Sequence, residues 1–394
     1  MTNTKKWIDD IKRVEPPDLW DRIEQRTATG SVGSPSPSRR PLLAVTILAV
    51  SVLVLGSVFY SLGRIGEPSV HQPSAGEIVR YELDDKPGLL VVGEGAAWVK
   101  AEPHVGSSYL ARIDAATGAV TEIDVSRIAN PGWLVPAVGG RSVWLSCRPP
   151  ACAGASAVQL DAVTGEAIRS VPIPAPWGEL VGVTEGVWVT TESSVVFINS
   201  AGEKERRLDL GERTLLGTDG TYLWVNTDEG IAGFDPESGA KLASVRFPGA
   251  CTIDVAQGMV WVASCKTATQ ASYPGEPDEL LGIDAANGDV LFRRRIDGDG
   301  QMRYANGVLW LAQNDPTGVA QRLRILRFDP LTGARLDDPI SILRSEPLRD
   351  VPPYRPARVQ FAVGEGSLWL TDYSAGEVIR VGLPHGGLER TGGD

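Results

Sequence analysis

The 394-residue sequence contains few of the side chains that most often carry catalysis or hold metals. It has four cysteines and three histidines. The histidines, His71, His104 and His385, recur in no common motif, and no set of residues forms a recognisable catalytic constellation. The sequence therefore favours a protein without enzymatic activity, and we expect no catalytic residue, no metal site and no cofactor.

Positive charge is also scarce. Lysine and arginine number 38 against 49 acidic residues, a formal net charge of −11. Residues 1–62 contain eight basic and six acidic residues, which leaves −13 for the remainder. An acidic body is a poor partner for nucleic acid. This charge is typical of a soluble domain at an envelope surface.

One feature is abundant, a repeated phrase with a single tryptophan. The motif consists of an apolar run, a glycine-containing turn, a small or apolar residue, Trp, and then Val or Leu. It recurs seven times, at Trp98, Trp144, Trp188, Trp224, Trp261, Trp310 and Trp369. The spacings between these tryptophans are 46, 44, 36, 37, 49 and 59 residues. Such a period is typical of four-stranded propeller blades. The sequence predicts an all-β fold, a seven-bladed β-propeller over residues 76–394.

A second phrase follows in five of the units, an apolar strand that ends in Asp and a turn that ends in Gly. The aspartates are Asp114, Asp161, Asp235, Asp284 and Asp329. Asp can bond the backbone two residues on and Gly can take a positive φ, so these segments are predicted to be hairpin turns. A calcium site would need several carboxylates at alternate positions, and each turn supplies one.

Strands are predicted in the first unit at residues 89–93, 97–100, 109–114 and 120–125. The repeated Trp is large enough to fill the space between neighbouring blades. It could also form a platform for a carbohydrate or aromatic ligand. The last unit supplies strands at 359–363, 368–371 and 378–383 but little for a fourth, so we predict that residues 78–83 pair there and close the ring.

These two phrases resemble those of seven-bladed propellers of the virginiamycin B lyase-like, NHL and YVTN type, over residues 76–394. The resemblance implies the propeller fold. The lyase members use His with acidic residues and a magnesium ion, and no histidine of this chain lies in a repeated motif.

The segment before the propeller predicts a membrane anchor. Residues 42–62 contain no charge and are long enough to cross a bilayer as a helix. They lie too far from the start for an ordinary cleaved signal. Eight basic residues precede the span and two follow closely, which places the N-terminus in the cytoplasm and the propeller outside. Residues 27–41 and 63–75 are predicted to be a flexible basic linker and an extracytoplasmic linker.

The four cysteines form two local pairs. Cys251 and Cys265 are symmetric about Gly258, the predicted turn of a hairpin, and Cys147 and Cys152 flank a tight loop. We predict a disulfide in each pair, which fits an oxidising compartment. Zinc is the alternative, although the C-x4-C spacing does not repeat.

Loop lengths point to one face of the propeller. In each unit, the turns between the first and second strands and between the third and fourth strands are short, whereas the remaining connections vary in length and open on the opposite face. Binding sites favour such loops. The candidate ligand-binding residues on that face are Trp133, Trp177, Arg303, Arg358, Tyr354, His104, Tyr273 and Tyr373. Aromatic and Arg side chains together would suit a sugar, a peptide or an anionic glycopolymer; rim residues that pack loop against loop are the alternative.

The N-terminal residues 1–26 form a second candidate site. Apolar residues recur there with helical spacing, namely Trp7, Ile8, Ile11, Leu19, Trp20 and Ile23. They could dock a cytosolic partner or lie on the inner membrane surface. The Pro-Pro-Asp-Leu-Trp phrase at residues 16–20 resembles tails of bacterial envelope regulators associated with extracytoplasmic-function sigma factors.

Three functions are compatible with this organisation. The first is a single-pass, membrane-anchored binding or sensing module of the bacterial cell envelope, with a ligand or protein partner on the loop-rich face. The second is an extracytoplasmic lyase or hydrolase. The third is a scaffold linked through its tail to sigma-factor-type regulation.

Overall fold

A computed structural model describes most of the predicted propeller. The described residues are 73–102, 109–125, 135–147, 156–173, 176–191, 193–210, 216–227, 229–247, 249–264, 278–296, 300–314, 322–343, 360–373 and 375–383. They all belong to the compact unit Pro68–Asp394. The predicted tail, basic linker and span, together with residues 63–72 of the predicted linker 63–75, lie outside the described residues. Within the described residues, no helix is long and apolar enough to span a membrane.

The described residues form 28 strands in seven four-stranded antiparallel sheets. Blade 1 contains β2 (Lys86–Gly93), β3 (Ala96–Glu102), β4 (Tyr109–Asp114) and β5 (Val120–Asp124). Blade 2 contains β6 (Val135–Gly139), β7 (Ser142–Cys147), β8 (Ser156–Asp161) and β9 (Ala167–Pro172). Blade 3 contains β10 (Pro176–Val183), β11 (Gly186–Thr191), β12 (Ser194–Asn199) and β13 (Lys204–Asp209). Blade 4 contains β14 (Leu216–Thr218), β15 (Leu223–Thr227), β16 (Gly230–Phe234) and β17 (Lys241–Arg246).

The remaining blades follow the same order, with the first strand innermost. Blade 5 contains β18 (Ala250–Ala256), β19 (Met259–Ser264), β20 (Asp278–Asp284) and β21 (Val290–Ile296). Blade 6 contains β22 (Gly300–Ala305), β23 (Val308–Asn314), β24 (Arg322–Phe328) and β25 (Ile340–Leu343). Blade 7 contains β26 (Phe361–Gly364), β27 (Ser367–Asp372), β28 (Glu377–Gly382) and, outermost, β1 (Ile78–Glu82). The predicted seven-bladed propeller is confirmed.

The ring closes as the sequence predicts. β1 pairs with β28 in antiparallel register from Ile78 opposite Val381 to Glu82 opposite Glu377. Two backbone bonds extend the pairing beyond the strand, from the Gly76 N–H to the Gly382 carbonyl and from the Leu83 N–H to the Gly376 carbonyl, each 2.9 Å. The first described strand of the chain therefore completes the last blade.

The short turns follow from local backbone chemistry. In five blades the innermost hairpin turn places both central residues at positive φ, as at Glu94 (54°) and Gly95 (74°), which matches the right-handed twist of the strands. In the Asp-containing turns, the Asp161 carboxylate accepts the N–H groups of Val163 at 2.9 Å and Thr164 at 2.8 Å. The equivalent carboxylates of Asp114, Asp235 and Asp329 each accept two such backbone bonds, and Asp284 accepts one. These turns are structural hairpins, as predicted.

Both kinds of short turn lie on one face of the disk. The N–H of Ala115, which follows β4, donates to the carbonyl of Gly95 in the β2–β3 turn at 2.8 Å, and Ala285 bonds Gly258 in the same way at 2.9 Å. We call this the short-turn face. The opposite side, where the first strand of each blade begins, is the loop face.

The repeated tryptophans pack between blades. All seven are at most 3% exposed. Trp98 of blade 1 lies in a cluster with Val143 and Leu145 of blade 2, and Trp369 of blade 7 lies in a cluster with Val99 and Ile113 of blade 1. Core packing is therefore confirmed, and a tryptophan platform for ligands at these positions was a wrong alternative.

Candidate functional site

The innermost strands carry one position that is equivalent in all seven blades. It lies seven residues before each repeated tryptophan and directly opposite it in the strand register. In five blades the residue is small or apolar, namely Val91, Ala137, Val181, Gly217 and Ala362. In blades 5 and 6 it is Asp254 and Arg303. The repeat is thus broken by two opposite charges on adjacent inner strands.

Asp254 joins the inner strands of blades 5 and 6. Its Oδ2 accepts the backbone N–H of Tyr304 at 2.5 Å, and its Oδ1 accepts that of Val255 at 3.1 Å. Burial raises the pKa of the Asp254 carboxyl above its ordinary value, while the Arg303 charge and these two N–H groups act in the opposite direction. The side chain still retains partial exposure, as expected for a group on the wall of a central channel.

Tyr304 also contacts blade 5, whereas its neighbour Arg303 forms a hydrogen bond within its own strand. Nη1 of Arg303 donates to the Met302 carbonyl at 2.8 Å. The Tyr304 ring stacks on Trp261 with centroids 4.7 Å apart, and the Tyr304 hydroxyl donates to Oε1 of Gln257 at 2.6 Å. A guanidinium has five N–H donors, and one hydrogen bond of Arg303 is given among the described residues.

Polar residues continue from this pair toward the loop face. Two positions before Asp254 lies Thr252 in blade 5, and two positions before Arg303 lies Gln301 in blade 6. The equivalent residue of blade 7 is Gln360, directly before β26. Nε2 of Gln301 donates to Oε1 of Gln360 at 3.0 Å, and Oε1 of Gln301 accepts the N–H of Phe361 at 3.2 Å. We call Thr252, Asp254, Gln301, Arg303 and Gln360 the polar sector.

The corresponding wall of the first blades is different. In blades 1 and 2 the position of Thr252 and Gln301 is occupied by Leu89 and Val135, and in blade 3 by Glu179. Polarity on adjacent inner strands is therefore continuous from blade 5 to blade 7. A carboxylate, a guanidinium and two amides can together orient a ligand that has both an acidic group and hydroxyl or amide groups.

The sequence-predicted candidates have different outcomes. Arg303 lies in the polar sector, and the Tyr373 ring lies 5.1 Å from Nζ of Lys86 on the loop face. Trp177 belongs to β10, although its side chain lies outside what the structure describes. Trp133, His104, Tyr273, Tyr354 and Arg358 lie outside the described residues, as do the tail residues Trp7, Ile8, Ile11, Leu19, Trp20 and Ile23. These residues stay predictions.

Most of the cysteines in the two predicted disulfides lie outside the described residues. Cys251 in β18 is disulfide-bonded, whereas Cys152 and Cys265 and the side chain of Cys147 are outside the described residues. The two pairings therefore stay predictions. In the part of the chain that the structure covers, no three His, Cys, Asp or Glu side chains converge in a way that could hold a metal ion.

Asp254, Gln301 and Gln360 were missed by the sequence analysis, although a signal for the first was present. Asp254 lies in an apolar strand, Thr-Ile-Asp-Val, whose alternation predicts only a strand. Aligning the seven copies on their tryptophans and comparing the residue seven positions earlier would have separated Asp254 and Arg303 from the other five. The two glutamines have no equally clear signal in the sequence.

Comparisons with known proteins agree with the fold and do not extend beyond it. No protein-family model matches the sequence and no curated protein matches it. Among solved structures, hydrazine synthase of Kuenenia stuttgartiensis matches with a TM-score of 0.52 and 14% identity, over 77% of this chain and 97% of that one. The Pan2 WD40 domain of Neurospora crassa matches with 0.52 and 12%, over 80% and 98%. A chain of a mitotic checkpoint complex matches with 0.55 and 11%, over 82% and 98%. At these identities the likeness establishes a propeller fold that enzymes and binding scaffolds share.

Proposed function

We propose that this protein is a membrane-anchored, extracytoplasmic propeller that binds or senses an envelope ligand at the polar sector. The single observation that supports this proposal is the break in the repeat at Asp254 and Arg303. Five blades keep a small or apolar residue there. A sequence that departs from its own packing pattern at two adjacent positions does so most often at a functional site.

The ligand class follows from the side chains. Arg303 offers N–H donors that match a carboxylate or phosphate in paired geometry, and the amides of Gln301 and Gln360 offer donors and acceptors for hydroxyl or peptide groups. We infer a short acidic saccharide or acidic peptide that enters from the loop face. The predicted residues Tyr373, His104 and Trp177 would then extend the contact outward.

The location is part of the same proposal. The uncharged residues 42–62 and the excess of basic residues before them support a single span with the propeller outside the cytoplasm. The tail at residues 1–26 would then offer its apolar residues to a cytosolic protein, and a sigma-factor-type regulator is the partner that its Pro-Pro-Asp-Leu-Trp phrase suggests.

One observation favours a second candidate, an extracytoplasmic lyase or hydrolase. Burial raises the pKa of Asp254, so this carboxyl keeps its proton at higher pH than an exposed aspartate and could act as an acid beside a bound ligand. Asp254 is the residue on which the two candidates differ.

The proposal is tested by binding measurements on the full-length protein in detergent. The probes are short uronic-acid oligosaccharides and glutamate-rich peptides, scored by calorimetry. Arg303→Ala should weaken the probe that binds best by about 10- to 100-fold, the range for losing a hydrogen bond to a charged group.

The control for this experiment is Arg322→Ala, which removes the same charge from an exposed position in β24. It should leave the affinity unchanged. Equal losses in both variants, or no binding of either probe class, would refute a ligand site at the polar sector. Cleavage of a probe that Asp254→Asn abolishes would instead favour the enzyme.

A further inference from the structure

The outermost strands carry a charge pattern that the polar sector does not use. In blades 2 to 5 these strands are β9, β13, β17 and β21, and they contain nine basic and two acidic residues. In the other three blades they are β5, β25 and β1, with one basic and three acidic residues. Positive charge is therefore concentrated on one side of the rim of an acidic protein. We call this side the basic belt, formed by Arg169, Lys204, Arg206, Arg207, Lys241, Arg246, Arg293, Arg294 and Arg295.

Most of the belt is exposed and has no acidic partner among the residues that the structure describes. Arg206 and Arg207 pair with Glu205 at 4.0 Å and Asp209 at 2.9 Å, and Arg293 pairs with Glu279 at 2.7 Å. For the other six, no acidic partner lies within ion-pair distance in the described part of the chain, and all six are exposed. They are Arg169, Lys204, Lys241, Arg246, Arg294 and Arg295.

Protection of sheet edges does not explain the pattern by itself. Edge strands often carry charges, Lys above all, because charge prevents pairing with another strand. All seven outermost strands need this protection, and positive or negative side chains can provide it. Here the sign changes between blades, from the acidic β5 (Glu122 and Asp124) to β21 with three consecutive arginines.

We propose that the basic belt binds a flexible, linear polyanion of the polyphosphate type, which follows the rim across blades 2 to 5. The shape of the rim argues for this ligand. Seven blades make up the ring. In a closed radial array of seven, each blade is turned by roughly one seventh of a circle relative to the next, so the belt is convex. A flat lipid surface can touch only a small part of such a rim, and a stiff nucleic-acid duplex resists bending around it. A flexible chain can contact all four strands in succession.

The experiment uses the full-length protein in detergent and long-chain inorganic polyphosphate as the probe, with binding measured across a series of salt concentrations. Each cation that contacts a flexible polyanion contributes about 0.7 to the slope of log affinity against log salt. The variant Arg293→Gln, Arg294→Gln, Arg295→Gln should therefore lower the slope by about 2 and weaken binding at low salt.

A charge-matched variant separates the belt from net charge. Arg141→Gln, Arg322→Gln, Arg335→Gln removes three exposed arginines elsewhere and should leave the slope nearly unchanged. An equal loss in the two triple variants would overturn the proposal. Equal affinity for orthophosphate and polyphosphate at the same phosphate concentration would also overturn it. The same holds if anionic phosphatidylglycerol vesicles or a nucleic-acid duplex bind the belt as tightly as polyphosphate does. Arg303→Ala should not affect this binding, so the belt and the ligand site can fail independently.

Discussion

Replacing Tyr81 with alanine should weaken the contact that closes the ring. Tyr81 lies in β1, and its ring stacks on Trp369 of the same blade with centroids 5.9 Å apart. The ring also reaches blade 1, where a methyl group added to Gly118 would lie 3.3 Å from the Tyr81 hydroxyl oxygen. One side chain thus connects the first described strand, the last blade and the first blade.

The expected loss follows from this geometry. A half-buried aromatic ring removes roughly 100 Å² of apolar surface from water, which stabilises by about 2.5 kcal/mol. Stacking on Trp369 adds about 0.5–1 kcal/mol. Tyr81→Ala should therefore lower the free energy of unfolding by about 3 kcal/mol, and Tm by about 4–5 °C for a domain of this size.

The assay is chemical denaturation of the full-length protein, followed by tryptophan fluorescence. Ile78→Ala in the same strand is the control, because Ile78 is 45% exposed and its truncation should cost less than about 0.5 kcal/mol. In a double-mutant cycle, Tyr81→Ala and Trp369→Leu should couple by about 1 kcal/mol. Equal effects of Tyr81→Ala and Ile78→Ala would refute the assigned closure, as would a normal melting transition after deletion of residues 76–84.

Two further predictions concern the blades and their turns. Gly282→Ala should destabilise by about 1–3 kcal/mol, because a methyl group there would overlap the buried Phe292 ring; thermal melting checks this, and Phe292→Leu in the same chain should restore part of the loss. Stability should also fall as the pH drops below about 4. The N–H groups of Thr164 and Val163 lower the pKa of Asp161, and those of Ser238 and Glu237 lower the pKa of Asp235. A carboxyl whose pKa is lower in the folded than in the unfolded protein stabilises the fold at pH values above its unfolded-state pKa. This stabilisation is lost as the pH falls through the folded-state pKa. Melting of Asp161→Asn, Asp235→Asn between pH 5 and 3 should show a weaker pH dependence than the parent, and an unchanged dependence would contradict this assignment.

Much of the fold could be predicted because its signals are local and repeated. The third strand of blade 1 has the predicted bounds, 109–114, and the predicted 89–93, 97–100 and 120–125 differ from β2, β3 and β5 by at most three residues at an end. The closing strand was predictable because residues 78–83 had no blade of their own. In each case a pattern of apolar residues and turn chemistry acts over a few residues.

The residues that depend on contacts between blades could not be predicted in this way. Arg380 is 1% exposed, lies over the Trp369 ring at 4.8 Å and donates from Nε to Oγ of Ser367 at 2.9 Å, although an arginine in β28 would be expected at the surface. Its burial requires a tryptophan and a serine that are brought to it by the sheet. The link between Gln301 and Gln360 likewise joins residues 59 positions apart.

The most direct test of the proposed function is hydrogen exchange of the full-length protein with and without the acidic oligosaccharide or peptide that binds best. A ligand at the polar sector should slow exchange in β18, in β22 and around Phe361, and leave the short turns at Glu94 and Gly258 unchanged. Protection confined to the inner strands of blades 1 and 2, or to the short-turn face, would contradict a site built on Asp254 and Arg303.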